Sequence, residues 1–261
     1  MTRTRAACFG FIATLVLVLG SGPARAAGAA AVGYETVTVA GPLSFPWGLA
    51  FLPDGGLLVT ERTGALRRIG TDGAISAPLT GVPPVFVRGQ GGLLDVALHP
   101  AFADNGLVYL SYAHGDARGN ATRIARGRLT EQGLADLEVI FTAAPLKDTP
   151  QHYGGMLAFM TDGTLLVTTG DGFDYREAAQ DRRSMLGKTL RINDDGSLPA
   201  DNPFAADPAA AAVWTYGHRN PQGLVVDPRT GSVYQHEHGP RGGAELNLLL
   251  PGRNYGWPAV T

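Results

Sequence analysis

The chain has 261 residues, 44% of them apolar and 17% charged, and its formal net charge at pH 7 is −2. The balance of 21 basic and 23 acidic residues contains no basic patch, so nucleic acid is not expected as a partner. The single cysteine, Cys8, excludes an internal disulfide and a cysteine metal site, so packing and bound ions must stabilise the fold.

The N-terminal segment has the pattern of a secretory signal peptide. Two arginines precede an apolar run at residues 9–20, and the small residues around Arg25 resemble a cleavage site. The run is too short for the roughly 20 residues that span a bilayer, so no membrane insertion is expected after cleavage. We predict a signal peptide at 1–26 and a periplasmic or secreted mature protein.

Residues 27–261 contain four copies of an apolar strand, a glycine-containing turn and a second apolar strand. Asp-Gly and Asn-Gly turns between alternating strands predict antiparallel hairpins. The last glycine before each inner strand is Gly48, Gly92, Gly155 or Gly223. A four-stranded unit repeated at roughly 40 to 50 residues, with longer insertions, is typical of propeller blades.

The predicted fold is therefore all-β, a β-propeller of four-stranded antiparallel blades, of which about four are present. An unclosed ring would leave unpaired sheet edges. We therefore expect the propeller domain at 27–261 to be incomplete at its C-terminus; a compact four-bladed propeller is the alternative. No long amphipathic helix is predicted, although 175–186 could hold a turn or two.

Polar residues flank the third predicted hairpin. His152 comes just before its inner strand, at the mouth of a propeller channel, and imidazole titrates near neutrality. It is a candidate general base, with a hydrogen-bonded loop histidine as the alternative. Asp171 ends the next strand and could orient His152, or it could form only an Asx turn.

The fourth predicted blade opens with Gly-His-Arg-Asn-Pro-Gln-Gly at 217–223. The Arg219 guanidinium and Asn220 amide could hold the oxygens of a planar anionic ligand, or Asn220-Pro221 could form only a turn. His236 and His238 follow on one strand face as a possible two-histidine metal site, but no third ligand is clearly placed. The next residues are Gly239-Pro240, whose turned-out carbonyls would suit calcium.

Seven motifs occur in a fixed order. They are Pro46-Trp47-Gly48-Leu49, Gly89-Gln90-Gly91-Gly92-Leu93-Leu94, Gln151-His152-Tyr153-Gly154-Gly155, Leu186-Gly187-Lys188, Gly217-His218-Arg219-Asn220-Pro221-Gln222-Gly223-Leu224, Glu237-His238-Gly239-Pro240 and Asn254-Tyr255-Gly256-Trp257-Pro258. Together they resemble the soluble quinoprotein glucose and aldose sugar dehydrogenases over residues 40–258. The resemblance implies a six-bladed propeller that binds pyrroloquinoline quinone (PQQ) and Ca²⁺.

The implied reaction oxidises an aldose at its anomeric carbon to a lactone by hydride transfer to PQQ, with an external electron acceptor. By resemblance, His152 is the base, Asp171 supports it, and Arg219 and Asn220 contact the quinone, Arg219 also stabilising charge on its reduced oxygen. The resemblance also implies that Gln90 and Gln151 line the sugar site. The carbonyls of Gly239 and Pro240 would bind the active-site calcium, and Glu245 with the Tyr255 backbone would bind a second, structural calcium.

Two departures from the family pattern matter. Family members continue beyond the Asn-Tyr-Gly-Trp-Pro motif with further basic cofactor ligands, and Met156 stands where an arginine commonly follows the paired glycines. We therefore expect the 261-residue chain to bind PQQ weakly or not at all. A calcium-dependent sugar-lactone hydrolase and a non-enzymatic extracellular binding propeller are the alternative functions. The hydrolase would need acidic ligands around the channel, where His152 and Arg219 are expected instead.

Overall fold

The computed structural model describes residues 34–260. All of the strands described below lie in the unit that begins at residue 38. The predicted signal peptide at 1–26 lies outside the described residues. Within residues 34–260, no helix is both long and apolar enough to cross a membrane.

Four antiparallel sheets, each built from strands consecutive in the chain, make up the described part of the protein. Their strands are β1 (Pro46–Phe51), β2 (Leu57–Glu61) and β3 (Ala65–Ile69); β4 (Leu93–Leu98), β5 (Leu107–Gly115), β6 (Asn120–Leu129) and β7 (Leu134–Thr142); β8 (Leu157–Phe159), β9 (Leu165–Thr169), β10 (Lys188–Ile192) and β11 (Val213–Tyr216); and β12 (Pro221–Val226), β13 (Val233–Glu237) and β14 (Glu245–Leu249). Within residues 34–260, helical structure is limited to α1 (Phe102–Asn105) and a 3-10 turn at Arg176–Ala179. The prediction of all-β, propeller-type sheets is confirmed; the second and third sheets have the predicted four strands, and the first and fourth have three within residues 34–260.

The glycine turns behave as predicted in the first and third sheets. At Asp54-Gly55, for example, the glycine has φ 87° and the β1–β2 connection closes with a hydrogen bond from Leu52 N to the Gly56 carbonyl. Asn105-Gly106 differs, because it ends the short helix α1 instead of forming a two-residue turn. Gly106 caps that helix in the left-handed region and donates to the Phe102 carbonyl.

Apolar side chains fill the space between neighbouring sheets. The first and second sheets enclose a cluster around Leu58, Leu93 and Leu110, and the second and third enclose another around Ile124 and Val167. A smaller cluster lies between the third and fourth sheets. Since each sheet is buried against the next, alternating apolar residues form the core, as the repeat pattern predicts.

Hydroxyl groups in the second strand of each of the first three sheets connect that sheet to the next one. Each hydroxyl oxygen accepts a hydrogen bond from the inner strand of its own sheet or from the residue just before that strand. Each hydroxyl donates to a carbonyl in, or just before, the inner strand of the following sheet. The chains of contact are Gly48–Thr60–Leu94, Asp95–Ser111–Gly155 and Met156–Thr168–Pro221. These bonds bring the loops before the inner strands together, and the candidate site is built from those loops.

Candidate active site

His152 and Asp171 lie side by side in two loops of the third sheet, one before β8 and the other after β9. The Nδ1 atom of His152 is 2.7 Å from Oδ1 of Asp171, and the two side chains are 5% and 1% exposed. The loops approach so closely that a Cβ on Gly170 would lie 2.3 Å from the His152 carbonyl oxygen. Only glycine fits at that point, and its presence brings the two groups into contact.

Both carboxylate oxygens of Asp171 accept further hydrogen bonds. Oδ1 accepts from the backbone N–H of Phe173 at 2.7 Å, and Oδ2 accepts from the indole Nε1 of Trp257 at 2.8 Å. An ionised carboxylate accepts only, so its third partner, Nδ1 of His152, is assigned as the protonated ring nitrogen. Nε2 of His152 then carries the lone pair.

The Nε2 atom of His152 makes no hydrogen bond with any residue in 34–260. No fully buried side-chain nitrogen or oxygen in this range lacks a partner, so Nε2 reaches solvent even though the residue is only 4% exposed. The Phe173 ring packs edge-on against the imidazole at 5.1 Å. The geometry is that of an oriented imidazole with one free basic nitrogen.

The two predicted glutamines have different surroundings. The Gln90 side-chain oxygen accepts the backbone N–H of His152 at 2.8 Å, so Gln90 fixes the loop that carries the imidazole. Gln151 is half-buried, and its side chain makes no hydrogen bond within the described residues. Gln90 therefore contacts the His152 backbone directly, whereas Gln151 is adjacent only in sequence.

Arg219 and Asn220 come next to the His152 loop from the fourth sheet. The Arg219 backbone carbonyl accepts from the Asp171 N–H at 2.8 Å, and its guanidinium lies 5.5 Å from the Trp257 ring centroid. Asn220 is 2% exposed, and its side-chain oxygen accepts from Gly154 N at 3.2 Å. The structure thus brings together His152, Asp171, Arg219 and Asn220.

A cavity of about 1060 Å³ opens beside these residues, and we call it the arginine-lined cavity. Its lining residues are Phe173, Asp174, Arg176, Glu177, Arg219, Pro240, Arg241, Trp257 and Pro258. The three arginines suit a ligand with several carboxylates, and the acidic residues Asp174 and Glu177 also line the cavity. Sequence reasoning missed Arg176, Arg241 and Trp257 as lining residues. The last two lie within or beside motifs already singled out, whereas no sequence signal marks Arg176.

An adjoining cavity of about 400 Å³ collects most of the predicted calcium ligands. Gly239, Pro240 and Glu245 line it together with Arg219. Within residues 34–260, neither the Gly239 nor the Pro240 carbonyl accepts a backbone hydrogen bond, so both are available to a ligand. Tyr255 does not line this cavity; its ring stacks on His218 at 4.9 Å.

His236 and His238 do not form a three-ligand metal cluster. Their ring centroids are 6.4 Å apart, and they line a cavity of about 270 Å³ with Trp47, Met156 and Gln222. Among residues 34–260, no group of three or more His, Cys, Asp or Glu side chains is arranged to hold a metal ion.

Comparison with known proteins gives consistent relatives. The chain is 44% identical to the aldose sugar dehydrogenase YliI of Escherichia coli K12 over 224 residues, covering 84% of the chain and 60% of that protein. It is 30% identical to quinoprotein glucose dehydrogenase B of Acinetobacter calcoaceticus over 265 residues, covering 91% of the chain and 55% of that protein. The PQQ-bound aldose sugar dehydrogenase of Streptomyces coelicolor superposes with a TM-score of 0.75 at 36% identity, covering 86% of the chain and 66% of that structure.

The chain spans only part of these relatives, about 60% of the E. coli protein. The model of the glucose and sorbosone dehydrogenase family matches residues 43–261. The chain therefore belongs to the glucose/sorbosone dehydrogenase family.

Proposed function

We propose that this protein is a PQQ-dependent sugar dehydrogenase that oxidises aldoses at the anomeric carbon to lactones, with Ca²⁺ assisting. The observation that carries the proposal is the free Nε2 of His152, oriented by Asp171 at 2.7 Å, close to the Arg219 loop and its arginine-lined cavity. The relatives named as aldose sugar and quinoprotein glucose dehydrogenases support the same chemistry.

The residues present fit the proposed cofactors. PQQ is planar and carries three carboxylates, and the arginine-lined cavity offers three guanidinium groups and the Trp257 indole face. Calcium prefers oxygen ligands, and the carbonyls of Gly239 and Pro240, which line one cavity, are such donors. When bound, PQQ supplies the acceptor for the hydride from C1 and Ca²⁺ supplies a Lewis acid.

The protein's own part of the proposed reaction is proton removal. Nε2 of His152 accepts the proton of the anomeric hydroxyl, and Asp171 stabilises the resulting imidazolium across the Nδ1–H bond. The Arg219 guanidinium and the Asn220 amide supply preorganised positive charge and a donor where negative charge develops. In the same proposal, Gln90 and Gln151 bind sugar hydroxyls beside the base.

The proposed second calcium site at Glu245 and the Tyr255 backbone has weaker support, because only Glu245 lines a cavity. We further propose that the protein acts after export, in the periplasm or outside the cell, and that an external acceptor reoxidises the cofactor. These two proposals rest on the N-terminal sequence and on the chemistry of a two-electron oxidation.

The test is reconstitution of the chain with Ca²⁺ and a large excess of PQQ, since the sequence predicts weak cofactor binding. Dye reduction should require PQQ, calcium and an aldose together, and chelation should abolish it. Hydrolysis of a sugar lactone with calcium alone would favour the hydrolase. Sugar binding that His152→Ala leaves unchanged, without oxidation, would favour the binding propeller.

A further inference from the structure

Lys147 is a buried cation in the second layer of contacts around the candidate base. It is 2% exposed, and the chain contains just one other lysine, Lys188. Its ammonium donates to the Asn120 side-chain oxygen at 3.0 Å and to the Thr149 carbonyl at 2.6 Å. The same nitrogen lies 3.5 Å from the centroid of the Tyr153 ring. A long charged side chain in this position is costly unless its partners compensate.

The partners of Lys147 come from both loops that carry the His152–Asp171 pair. Thr149 precedes His152 in the chain, and Tyr153 directly follows it. The hydroxyl of Thr149 donates to the carbonyl of Gly172, the residue after Asp171. A Cβ on Gly172 would lie 2.7 Å from Cδ of Lys147, so the lysine stem packs directly against that loop.

Asn120 completes the arrangement from strand β6. Its side-chain oxygen accepts both the Lys147 ammonium and, at 2.7 Å, the Tyr153 hydroxyl. Its backbone N–H and carbonyl also pair with the backbone of Lys147, at 2.8 and 2.9 Å. The ammonium is thus held in one place by the sheet on one side and by the His152 loop on the other.

The charged and titratable groups facing Lys147 are Asp171, Asp148, Tyr153 and, through the pair, His152. Burial is the largest influence and lowers the pKa of Lys147 to about 7, while the charges of Asp171 and Asp148 act in the opposite direction. Tyr175 lies beyond Asp148 and donates its hydroxyl to that carboxylate at 2.8 Å. Lys147 therefore changes charge near neutral pH, within the electrostatic range of Asp171, the carboxylate that pairs with the candidate base.

We propose that Lys147 is a positioning residue for the His152–Asp171 pair, holding both loops and, when charged, opposing protonation of the His152 imidazole. A neighbouring positive charge favours the neutral form of a histidine. With Lys147 charged, Nε2 of His152 stays unprotonated down to a lower pH than it would without that charge, and it can still accept a proton there. The catalytic part of this proposal rests on the proposed function. The effect of the Lys147 charge on His152 protonation needs neither cofactor nor sugar.

The test compares two uncharged variants, Lys147→Met and Lys147→Gln, with the wild-type chain. In the protein without PQQ or sugar, the ring ¹⁵N signals of His152 are followed by NMR as a function of pH. We expect the titration midpoint of His152 in both variants to rise by roughly 0.5 to 1 pH unit, the low end of the effect of a nearby charge. The acid limb of the kcat/KM profile of the PQQ-loaded chain should move in the same direction.

Lys188→Met is the matched control. Its ammonium is also buried, and burial lowers its pKa to about 7. It donates to the carbonyls of Ala178, Ala179 and Leu186, and the charge that acts on it is that of Asp181. This variant should leave the His152 midpoint unchanged. An unchanged midpoint in both Lys147 variants, or an equal shift in Lys188→Met, would overturn the proposal, as would failure of both Lys147 variants to fold.

Because the NMR titration needs neither cofactor nor substrate, its outcome is independent of the proposed oxidation. A shifted His152 midpoint without sugar oxidation would leave the charge coupling in place and count against sugar oxidation by this chain. Sugar oxidation with an unshifted His152 midpoint would support the dehydrogenase and reject the charge coupling.

Discussion

Two buried histidine–carboxylate pairs, His152 with Asp171 and His218 with Glu237, can be compared directly. In each, Nδ1 of the imidazole faces a carboxylate oxygen, at 2.7 Å in the first pair and 2.9 Å in the second. In each, the histidine precedes an inner strand and the carboxylate lies at the end of the next strand or just beyond it. The pairs thus occupy corresponding places in the third and fourth sheets.

The pairs differ at the second ring nitrogen. Nε2 of His218 lies 2.9 Å from the Thr215 hydroxyl oxygen, and the ring is completely buried and stacked on Tyr255. Nε2 of His152 has no partner within residues 34–260 and reaches solvent. An imidazole with both nitrogens bonded stabilises the fold, whereas one with a free Nε2 can take a proton from a substrate.

The largest expected effect is that of His152→Ala. If His152 is the proposed base, this change should lower kcat/KM for the proposed aldose oxidation by about 100- to 10,000-fold, the usual contribution of general base catalysis. PQQ binding, measured by absorbance titration, should be largely kept because the cavity arginines remain. Wild-type turnover in this variant would remove His152 from the mechanism.

His218→Leu should act on stability instead. It removes the bonds to Thr215 and Glu237 and leaves a buried carboxylate without its imidazole partner. We expect the free energy of unfolding, from urea denaturation, to fall by about 2–4 kcal/mol. Turnover per folded molecule should fall much less than in His152→Ala. If His218→Leu kept its stability but lost activity, His218 would have the functional role and not the structural one.

Trp257→Phe tests the hydrogen bond that distinguishes Asp171 from a simple ion-pair partner. The change keeps an aromatic ring beside Arg219 but removes the indole donor to Oδ2 of Asp171. Loss of a hydrogen bond to a charged group should lower kcat/KM by about 10-fold. Trp47→Phe, at a different cavity, is the control and should stay close to wild type. Equal effects in both variants would count against a specific role for Trp257.

The smallest expected effect is that of Thr215→Val, which removes the hydroxyl at Nε2 of His218 without changing the shape of the side chain. The free energy of unfolding should fall by about 1 kcal/mol, the net contribution of a typical hydrogen bond. Turnover should not change. Comparing the two variants by urea denaturation separates the contribution of the Thr215 hydrogen bond at Nε2 from that of the Glu237 contact at Nδ1.

Much of the fold follows from local signals. Glycine turns and alternating apolar residues predict the hairpins because both depend on neighbours only a few residues away. Asn105-Gly106 shows the limit: the same dipeptide can close a hairpin or cap a helix. Here the short helix α1 forms, with His99 Nδ1 accepting from Ala101 N at 3.0 Å at its start.

The candidate site was predictable where its members flank one hairpin. His152 and Asp171 flank the β8–β9 hairpin, so their contact follows from antiparallel pairing. The indole of Trp257 reaches the same carboxylate from 86 residues further along the chain. Arg176 lines the cavity from a 3-10 turn without any recognisable motif. The Trp257–Asp171 hydrogen bond and the position of Arg176 at the cavity both depend on how distant segments pack, so a pattern of neighbouring residues does not indicate them.

The amino-acid sequence alone determined the hairpins, the repeated sheets and the identity of the candidate base, because turn chemistry, alternation and motif spacing are local properties. Only the tertiary structure decided which histidine keeps a free nitrogen and where a buried lysine places its charge. Those outcomes depend on burial and on hydrogen-bond partners from several sheets. His152 and His218 both precede an inner strand, and the packing of four sheets leaves Nε2 of His152 free while Nε2 of His218 is bonded to Thr215.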